Sequence, residues 1–392
     1  MMLKAYKYRL NPNESQIELI NKHIGASRFI YNLALETKNT AYLGSKHNFS
    51  PFDLSKQLVS LKEELPWLKE LNSQSLQQAI QNMDIAFKKF FKGAGFPKFK
   101  KKSNGGSFNI PQNVRIIDNK LIIPKFTKKN GIDIISHRQP KGEIRQATIS
   151  RTPTGKYFVS ILCETGEQNK PKSKIKEETT IGIDLGIKDF AITSNGEVFS
   201  NPKYLKKSLS RLKYIQSKYS KNKGKKTKQK LAKLHEKVTN KRKDFLHKVS
   251  TKLIRENQTI CLENLNVSGM IKNHNLAQAI SDVSWSTFVT MLEYKADWYG
   301  VNLLKIGRFA PSSKTCSNCG NINKELTLSD REWTCFTCHS HHDRDVNAAI
   351  NIKNFGLRNI LSGTDRKNHD ELPTLVGVMT HEAHPIAYGV GG

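Results

Sequence analysis

Four cysteines form two Cys-x-x-Cys pairs, Cys316 with Cys319 and Cys335 with Cys338, and fifteen residues lie between the pairs. Each pair on a tight turn offers two thiolates to one side of a tetrahedral ion, so this spacing predicts one structural Zn²⁺. His341 and His342 follow closely and have the chemistry to replace a ligand, although four cysteines already complete a tetrahedron. Directly after the second pair comes the acidic segment His342-Asp343-Arg344-Asp345, leading into Val346-Asn347-Ala348-Ala349, a helix opening.

Three carboxylates stand out by position. Asp184 ends the apolar run Ile181-Gly182-Ile183, Glu263 ends Gln258–Leu262, and Asp345 opens the helix after the cysteines. An RNase H-like sheet brings such positions together: its first strand, its fourth strand and a late helix converge at one edge. Carboxylates gathered there suit two Mg²⁺ ions and in-line phosphoryl displacement, since hard cations take oxygen ligands as zinc takes thiolates. Singly, each acid has a plainer reading. A strand-terminal Asp is commonly a cap or turn residue, and Gly182-Ile183-Asp184-Leu185-Gly186 also suits the phosphate cradle of an actin-like ATPase.

The elements that position these residues follow from periodicity. In 3–10, Tyr6, Tyr8 and Leu10 share one face and Lys7 and Arg9 the other, the pattern of a half-buried strand with a basic outer side on which Lys7 and Arg9 are candidate nucleic-acid contacts. From Glu14 to about Phe90 the apolar spacing is helical, punctuated by Pro51 and Pro66, which predicts a small bundle. Residues 108–165 are strand-rich, with hairpin signals at Asp118-Asn119 and Thr152-Pro153-Thr154-Gly155. Together with strand 3–10 they predict a small β-barrel into which the bundle is inserted. Lys-, Glu- and Pro-rich residues 166–179 read as a linker. Beyond it, Asn195-Gly196 marks a tight hairpin, Trp285–Gly300 an amphipathic helix and Val301–Ile306 a strand. A last helix is expected over Asp345–Phe355 with Gly356 as its stop. The expected organisation is therefore α+β and multidomain: a β-barrel at 1–12 plus 105–170, a helical bundle at 13–104, an α/β domain at 178–310 plus 340–358, a zinc ribbon at 311–339, and a tail at 359–392 without pattern.

The chain of 392 residues carries 64 Lys+Arg against 34 Asp+Glu, a net charge of +30. That excess predicts a polyanion partner. Residues 201–250 hold eighteen Lys/Arg against only Glu236 and Asp244. Leu231, Leu234, Val238, Phe245 and Val249 nevertheless recur at helical spacing, so two long basic helices turning near Gly224 are expected, with Lys225 and Lys226 among the phosphate contacts. In 88–102, Phe96 and Phe99 alternate with Lys98 and Lys100, which suits base stacking beside phosphate contacts or, equally, a basic linker with its aromatics tucked into a core. No apolar window is long enough for a membrane span, no signal peptide is evident, and Cys163 and Cys261 read as buried thiols; a cytoplasmic, nucleoid-associated protein without a membrane partner is expected.

The motifs in order resemble the TnpB-type (OrfB) proteins of insertion sequences, relatives of type V CRISPR effector nucleases. The resemblance rests on GIDLGIKDFA at 182–191, LENLNV at 262–267, GRFAPSSKTCSNCG at 307–320, LTLSDREWTCFTC at 326–338 and HDRDVNAAINI at 342–352. KAYKYRLNPNESQ near the N-terminus and GFPKFKKK at 95–102 also fit. The resemblance covers about residues 1–355. It implies a RuvC (RNase H-like) Mg²⁺-dependent nuclease guided by an RNA from the transposon end. Such a nuclease cleaves double-stranded DNA beside a short adjacent motif. The family's catalytic acids fall on Asp184, Glu263 and Asp345, with Asp343 the neighbouring alternative for the third, and Arg344 beside them is a candidate nucleic-acid contact or, equally, a surface salt-bridge partner. His339 departs from the pattern, which commonly has glycine there. The rival readings are a guided DNA-binding repressor that does not cleave, and an RNase H-like transposase.

Overall fold

The structure, a computed structural model, describes residues 1–102, 105–126, 131–327 and 329–361. Two compact units divide it, Met1–Gln168 and Asn169–Gly392.

In the first unit, β1 (Leu3–Asn11) is followed by α1 (Glu14–Ser45), α2 (Pro51–Glu64) and α3 (Ser73–Phe91), and then by β2 (Gly106–Ile110), β3 (Arg115–Ile117), β4 (Lys120–Ile122), β5 (Ile132–Ile135), β6 (Glu143–Arg151) and β7 (Tyr157–Glu164). Asn13 and Ser50 close capping boxes on α1 and α2, and Pro51 sits in the first turn of α2, where its missing N–H is harmless. The strands form one antiparallel sheet in the order β2-β6-β7-β1-β5-β4-β3. Alternate residues of β1 are buried as expected, Tyr6, Tyr8 and Leu10 inward and Lys7 and Arg9 outward. Asp118 and Asn119 both have positive φ, 49° and 58°, the conformation a two-residue hairpin requires. The expected closed barrel is instead an open sheet: no ladder joins β2 to β3 among the described residues. Its inner residues still share one core with Ile20 and Ile24 of α1, so helix packing covers what closure would have buried. The helices have their own core around Ile30, Leu35, Leu68, Leu76, Ile80 and Met83.

The second unit runs β8 (Thr180–Asp184), β9 (Asp189–Thr193), β10 (Val198–Ser200), α4 (Tyr204–Asn222), α5 (Lys225–Glu256), β11 (Thr259–Glu263), α6 (Val267–Met270), α7 (His274–Val283), α8 (Trp285–Tyr299), β12 (Asn302–Ile306), β13 (Glu332–Thr334), β14 (His341–Asp343) and α9 (Arg344–Leu361). Its sheet has the order β10-β9-β8-β11-β12. The first three strands are antiparallel, while β11 lies parallel to both β8 and β12. Ile181, Ile183, Ile260 and Leu262 pack on one side with Leu246, Val249, Phe288 and Leu292 of α5 and α8. Cys261, Leu304 and Ile306 pack on the other with Ile352 and Leu357 of α9. Both central strands are therefore buried on both faces, which is why they read as continuous apolar runs. Cys163 and Cys261 are fully buried free thiols, as expected.

Helix α9 continues through Gly356 to Leu361, beyond the stop expected there. Gly356 serves contact instead of termination. A Cβ on it would lie 2.5 Å from the sulfur of Cys261, so glycine lets α9 lie flush on β11. The expected tail at 359–392 thus begins inside this helix, and its remainder from 362 lies outside the described residues. Among the described residues, no helix is long and apolar enough to cross a membrane.

Candidate nuclease centre and cysteine cluster

Strand parity aims the acids. Residues alternate across a strand, and Ile181/Ile183 and Ile260/Leu262 face α5 and α8. Gly182 and Asp184 on β8, with Cys261 and Glu263 on β11, therefore face α9. Ile183 is paired with Leu262, so Asp184 and Glu263 are next in step at the same end of two parallel strands. Gly182 brings in the third acid. A Cβ there would stand 2.0 Å from the Ala349 carbonyl oxygen and 2.6 Å from the Lys353 nitrogen, so α9 lies directly on the β8 backbone. One turn before Ala349, Asp345 then falls beside the strand end.

The electrostatics register this convergence. Burial, then the charges of Glu263 and Asp345, push Asp184 up to about 7, with Arg344 and the Leu185 amide acting in the opposite direction. Like charges in a partly dry site disfavour ionisation, and a site so arranged gains by admitting a cation. Three carboxylates are a hard-oxygen set of the kind that Mg²⁺ takes. Asp343, the alternative third acid, plays a different part. Its Oδ1 accepts from the backbone N–H groups of Asp345 and Val346 at 3.0 and 2.9 Å, capping α9.

Of the partners of these acids, Ser312 and Arg331 were not singled out from sequence, while Arg344 was. Ser312 Oγ donates to Glu263 Oε1 at 2.6 Å. Arg331 Nη1 stands 3.4 Å from Asp345 Oδ2, and Arg344 Nε 3.6 Å from its Oδ1. Asn347 and Asn351, four apart on the buried side of α9, donate to the Thr315 carbonyl at 2.8 and 2.6 Å; Asn351 also reaches the Ser312 carbonyl at 2.8 Å. Two asparagines at helical spacing within an apolar face were the available signal, because buried amides need partners.

The four cysteines sit on two equivalent turns. Gly320 N–H donates to the Cys316 carbonyl and His339 N–H to the Cys335 carbonyl, each at 2.9 Å. Both closing residues are left-handed, with φ of 79° at Gly320 and 59° at His339, so the position that departs from glycine is one where glycine is favoured. All four sulfurs lie within 4.8 Å of one another. Cys316 and Cys338 are 3.6 Å apart, as are Cys319 and Cys335. A tetrahedron with about 2.3 Å metal–sulfur bonds has edges of about 3.8 Å, so the cluster fits a single ion. Ser340, whose hydroxyl and N–H reach the Cys338 sulfur, holds that thiol down at about 6. His342 Nε2 stands beside the set, 3.1 Å from Cys316 Sγ.

The residues expected at nucleic acid lie on several different elements of the two units. Lys7 and Arg9 are exposed on the outer side of β1. Phe96 and Phe99 are about half exposed, and Phe96 packs edge-on against Phe87 and Phe90. Lys98 is exposed, and Lys100 Nζ sits 3.8 Å from the centre of the Tyr31 ring. Lys225 and Lys226 are exposed in the first turn of α5, which has no side-chain cap. Cations at a helix N-terminus oppose the helix dipole, an arrangement that an arriving phosphate would relieve. Arg344 Nη1 donates to the Thr327 and Asp330 carbonyls at 3.3 and 3.1 Å, tying the segment before β13 to the start of α9. Asp282 anchors the basic pair of helices: it pairs with Arg242 at 2.9 Å and accepts from the N–H groups of Leu205 and Lys206.

Comparison with known proteins places the chain in a family. A family model described as "Probable transposase" (OrfB of IS605) matches residues 160–274. One for the Cas12f1-like TNB domain matches 285–352, and a helix-turn-helix model matches 1–46, where this structure has β1 and α1. A Streptomyces pristinaespiralis protein named "Putative RNA-guided DNA endonuclease" is 40% identical over 366 residues, spanning 90% of this chain and 89% of its own. InsQ of Escherichia coli K12, with the same description, is 31% identical over 375 residues, spanning 89% and 91%. A solved Cas12f1–sgRNA–target DNA complex shares the fold at a TM-score of 0.53 and 16% identity, covering 87% of this chain and 83% of that one. Identity of 40% over 90% of this chain and 89% of the relative makes this chain a member of the TnpB-type (OrfB) family, related to the type V effectors.

Proposed function

We propose that this protein is the RNA-guided DNA endonuclease of an insertion sequence. It takes its guide from the transposon end and cleaves double-stranded DNA beside a short adjacent motif, at a RuvC-like centre made of Asp184, Glu263 and Asp345. The observation that carries this reading is the convergence of the three acids at one sheet end, with Asp184 pushed up to about 7. The strand order, three antiparallel and two parallel with a late helix across them, supports an RNase H-like assignment for 178–310 plus 340–358. Residues 311–339 are then a zinc ribbon, 1–12 plus 105–170 a wedge-like β domain and 13–104 a recognition bundle.

Asp184, Glu263 and Asp345 hold two Mg²⁺ ions in this reading. Bound magnesium supplies the Lewis acidity and the neutralising charge for in-line attack of water on a phosphodiester. The chain's own residues do the placing. Asp184 and Glu263 are fixed by paired strands, Asp345 by the first turn of a helix, and Arg331 and Arg344 hold Asp345 from the ribbon side. The ribbon's zinc is structural, since four thiolates leave no open position. Lysines of α4 and α5 meet phosphates, so guide and target binding weakens steeply with salt. Sequence is read by base pairing.

The description of the matched family model favours a second reading, strand transfer by a transposase. One experiment separates them. Protein purified from cells expressing its flanking DNA is stripped in high salt, its bound RNA sequenced, and the complex given a matching duplex with Mg²⁺. A discrete RNA and guide-dependent double-strand cleavage support the proposal. Asp184→Ala should retain RNA and duplex binding while losing at least about 10³-fold in rate, about 4 kcal/mol. An undiminished rate in that variant refutes the site, and joined strands without a specific RNA support the transposase.

A further inference from the structure

The loop entering the first cysteine turn is built as a bracket for Glu263. Ser312 is buried, and its hydroxyl donates its only proton to Glu263 Oε1 at 2.6 Å. Its backbone is gripped in turn. Asn351 donates to the carbonyls of Ser312 and Thr315, Asn347 donates to Thr315, and the Ser317 N–H donates to Asn347 Oδ1 at 2.9 Å. Both asparagines are buried on α9, the helix that Asp345 opens. One hydrogen-bonded chain therefore runs from the Cys316 turn, through the Ser312–Ser317 loop, to one acid on β11 and to the helix carrying another.

We infer that Ser312 is a positioning residue that orients the Glu263 carboxylate for a divalent cation, and that the Asn347–Asn351 latch lets the cysteine ribbon hold it in place. This rests on the reading of Glu263 as a metal ligand. The physical ground is that a glutamate at a strand end has three side-chain torsions to settle. A short hydrogen bond from a fixed hydroxyl to one oxygen selects an orientation and leaves the other oxygen and a remaining lone pair for the ion. Loss of such an outer contact typically weakens metal affinity 10–100-fold.

The test is Mn²⁺ binding to the zinc-loaded full chain, followed by electron paramagnetic resonance, with cleavage measured in parallel against Mg²⁺ concentration. Ser312→Ala should weaken Mn²⁺ binding at least about tenfold and raise the Mg²⁺ needed for half-maximal cleavage similarly. Zinc content and guide RNA retention should stay at the wild-type level. Ser312→Thr, which keeps the hydroxyl, should restore both. Glu263→Gln sets the scale as the variant that lacks the ligand. If Ser312→Ala binds Mn²⁺ as wild type does while Glu263→Gln does not, positioning is refuted and the nuclease reading stands. If Ser312→Ala weakens Mn²⁺ binding in a protein that does not cleave guided DNA, positioning stands and the nuclease reading falls. If Glu263→Gln leaves Mn²⁺ binding intact, Glu263 is no ligand and the inference is refuted.

Discussion

Replacing Asp184 by asparagine should abolish cleavage and stabilise the protein, because the acid group is held against its own ionisation. An ordinary aspartate has a pKa of 3.8, and here burial and the neighbouring acids push it up to about 7. Each unit is worth about 1.4 kcal/mol, so the ionised group opposes folding by about 4 kcal/mol above pH 7. The sign follows from proton binding. Between the two pKa values the folded chain holds a proton that the unfolded chain has lost, so stability is fully present below about pH 4 and is lost progressively as pH rises from there through 7. The asparagine side chain carries no such penalty and keeps an oxygen for the Leu185 amide. Without added magnesium, the variant should exceed wild type by about 4 kcal/mol at pH 8.5 and by about half that at pH 5.5. In a unit of this size that is a rise in Tm of roughly 10 °C at the higher pH. Differential scanning calorimetry across pH 5.5–8.5 reads it, and added Mg²⁺ should narrow the gap, since only the carboxylate gains from the ion. An equal gap at both pH values, or none at pH 8.5, refutes the picture of a strained acid cluster.

Two further perturbations address the support of the site. Gly182→Ala places a Cβ about 2 Å from the Ala349 carbonyl oxygen, against helix backbone rather than a flexible side chain; α9 should lift from β8, with a loss of about 3 kcal/mol in urea unfolding and of cleavage. An active variant of unchanged stability would falsify the flush packing. His339→Gly relieves a left-handed residue at φ 59° and should strengthen the second cysteine turn by about 1 kcal/mol, read as roughly fivefold slower zinc loss to a chelator; faster loss contradicts it.

Local chemistry made much of this protein legible. The cysteine spacing, the alternation in β1, the Asp118-Asn119 turn and the apolar strands ending in Asp184 and Glu263 are properties of a few neighbouring residues. Period and residue type suffice to read them, whatever the rest of the chain does. The resemblance then attached roles to the acids, and strand register and parity bring Asp184 and Glu263 to one end. Contacts between residues far apart in sequence were not legible. Gly356 looked like a helix stop because glycine commonly is one, and only the sulfur of Cys261 against it explains why the helix continues. The first sheet looked closable because its strands alternate, yet alternation gives a buried face and not the number of edges; α1 packs on that face, and among the described residues the sheet stays open. Ser312 is one serine among many until a loop 49 positions away in sequence lays it on Glu263. Sequence by itself determined which side chains have metal-ligand chemistry and which elements bear them, because both follow from short-range pattern. Tertiary structure decided that Asp343 caps α9, that Glu263 and Asp345 both act on the ionisation of Asp184, and which groups bond to Glu263 and Asp345, because those depend on where α9 can come to rest.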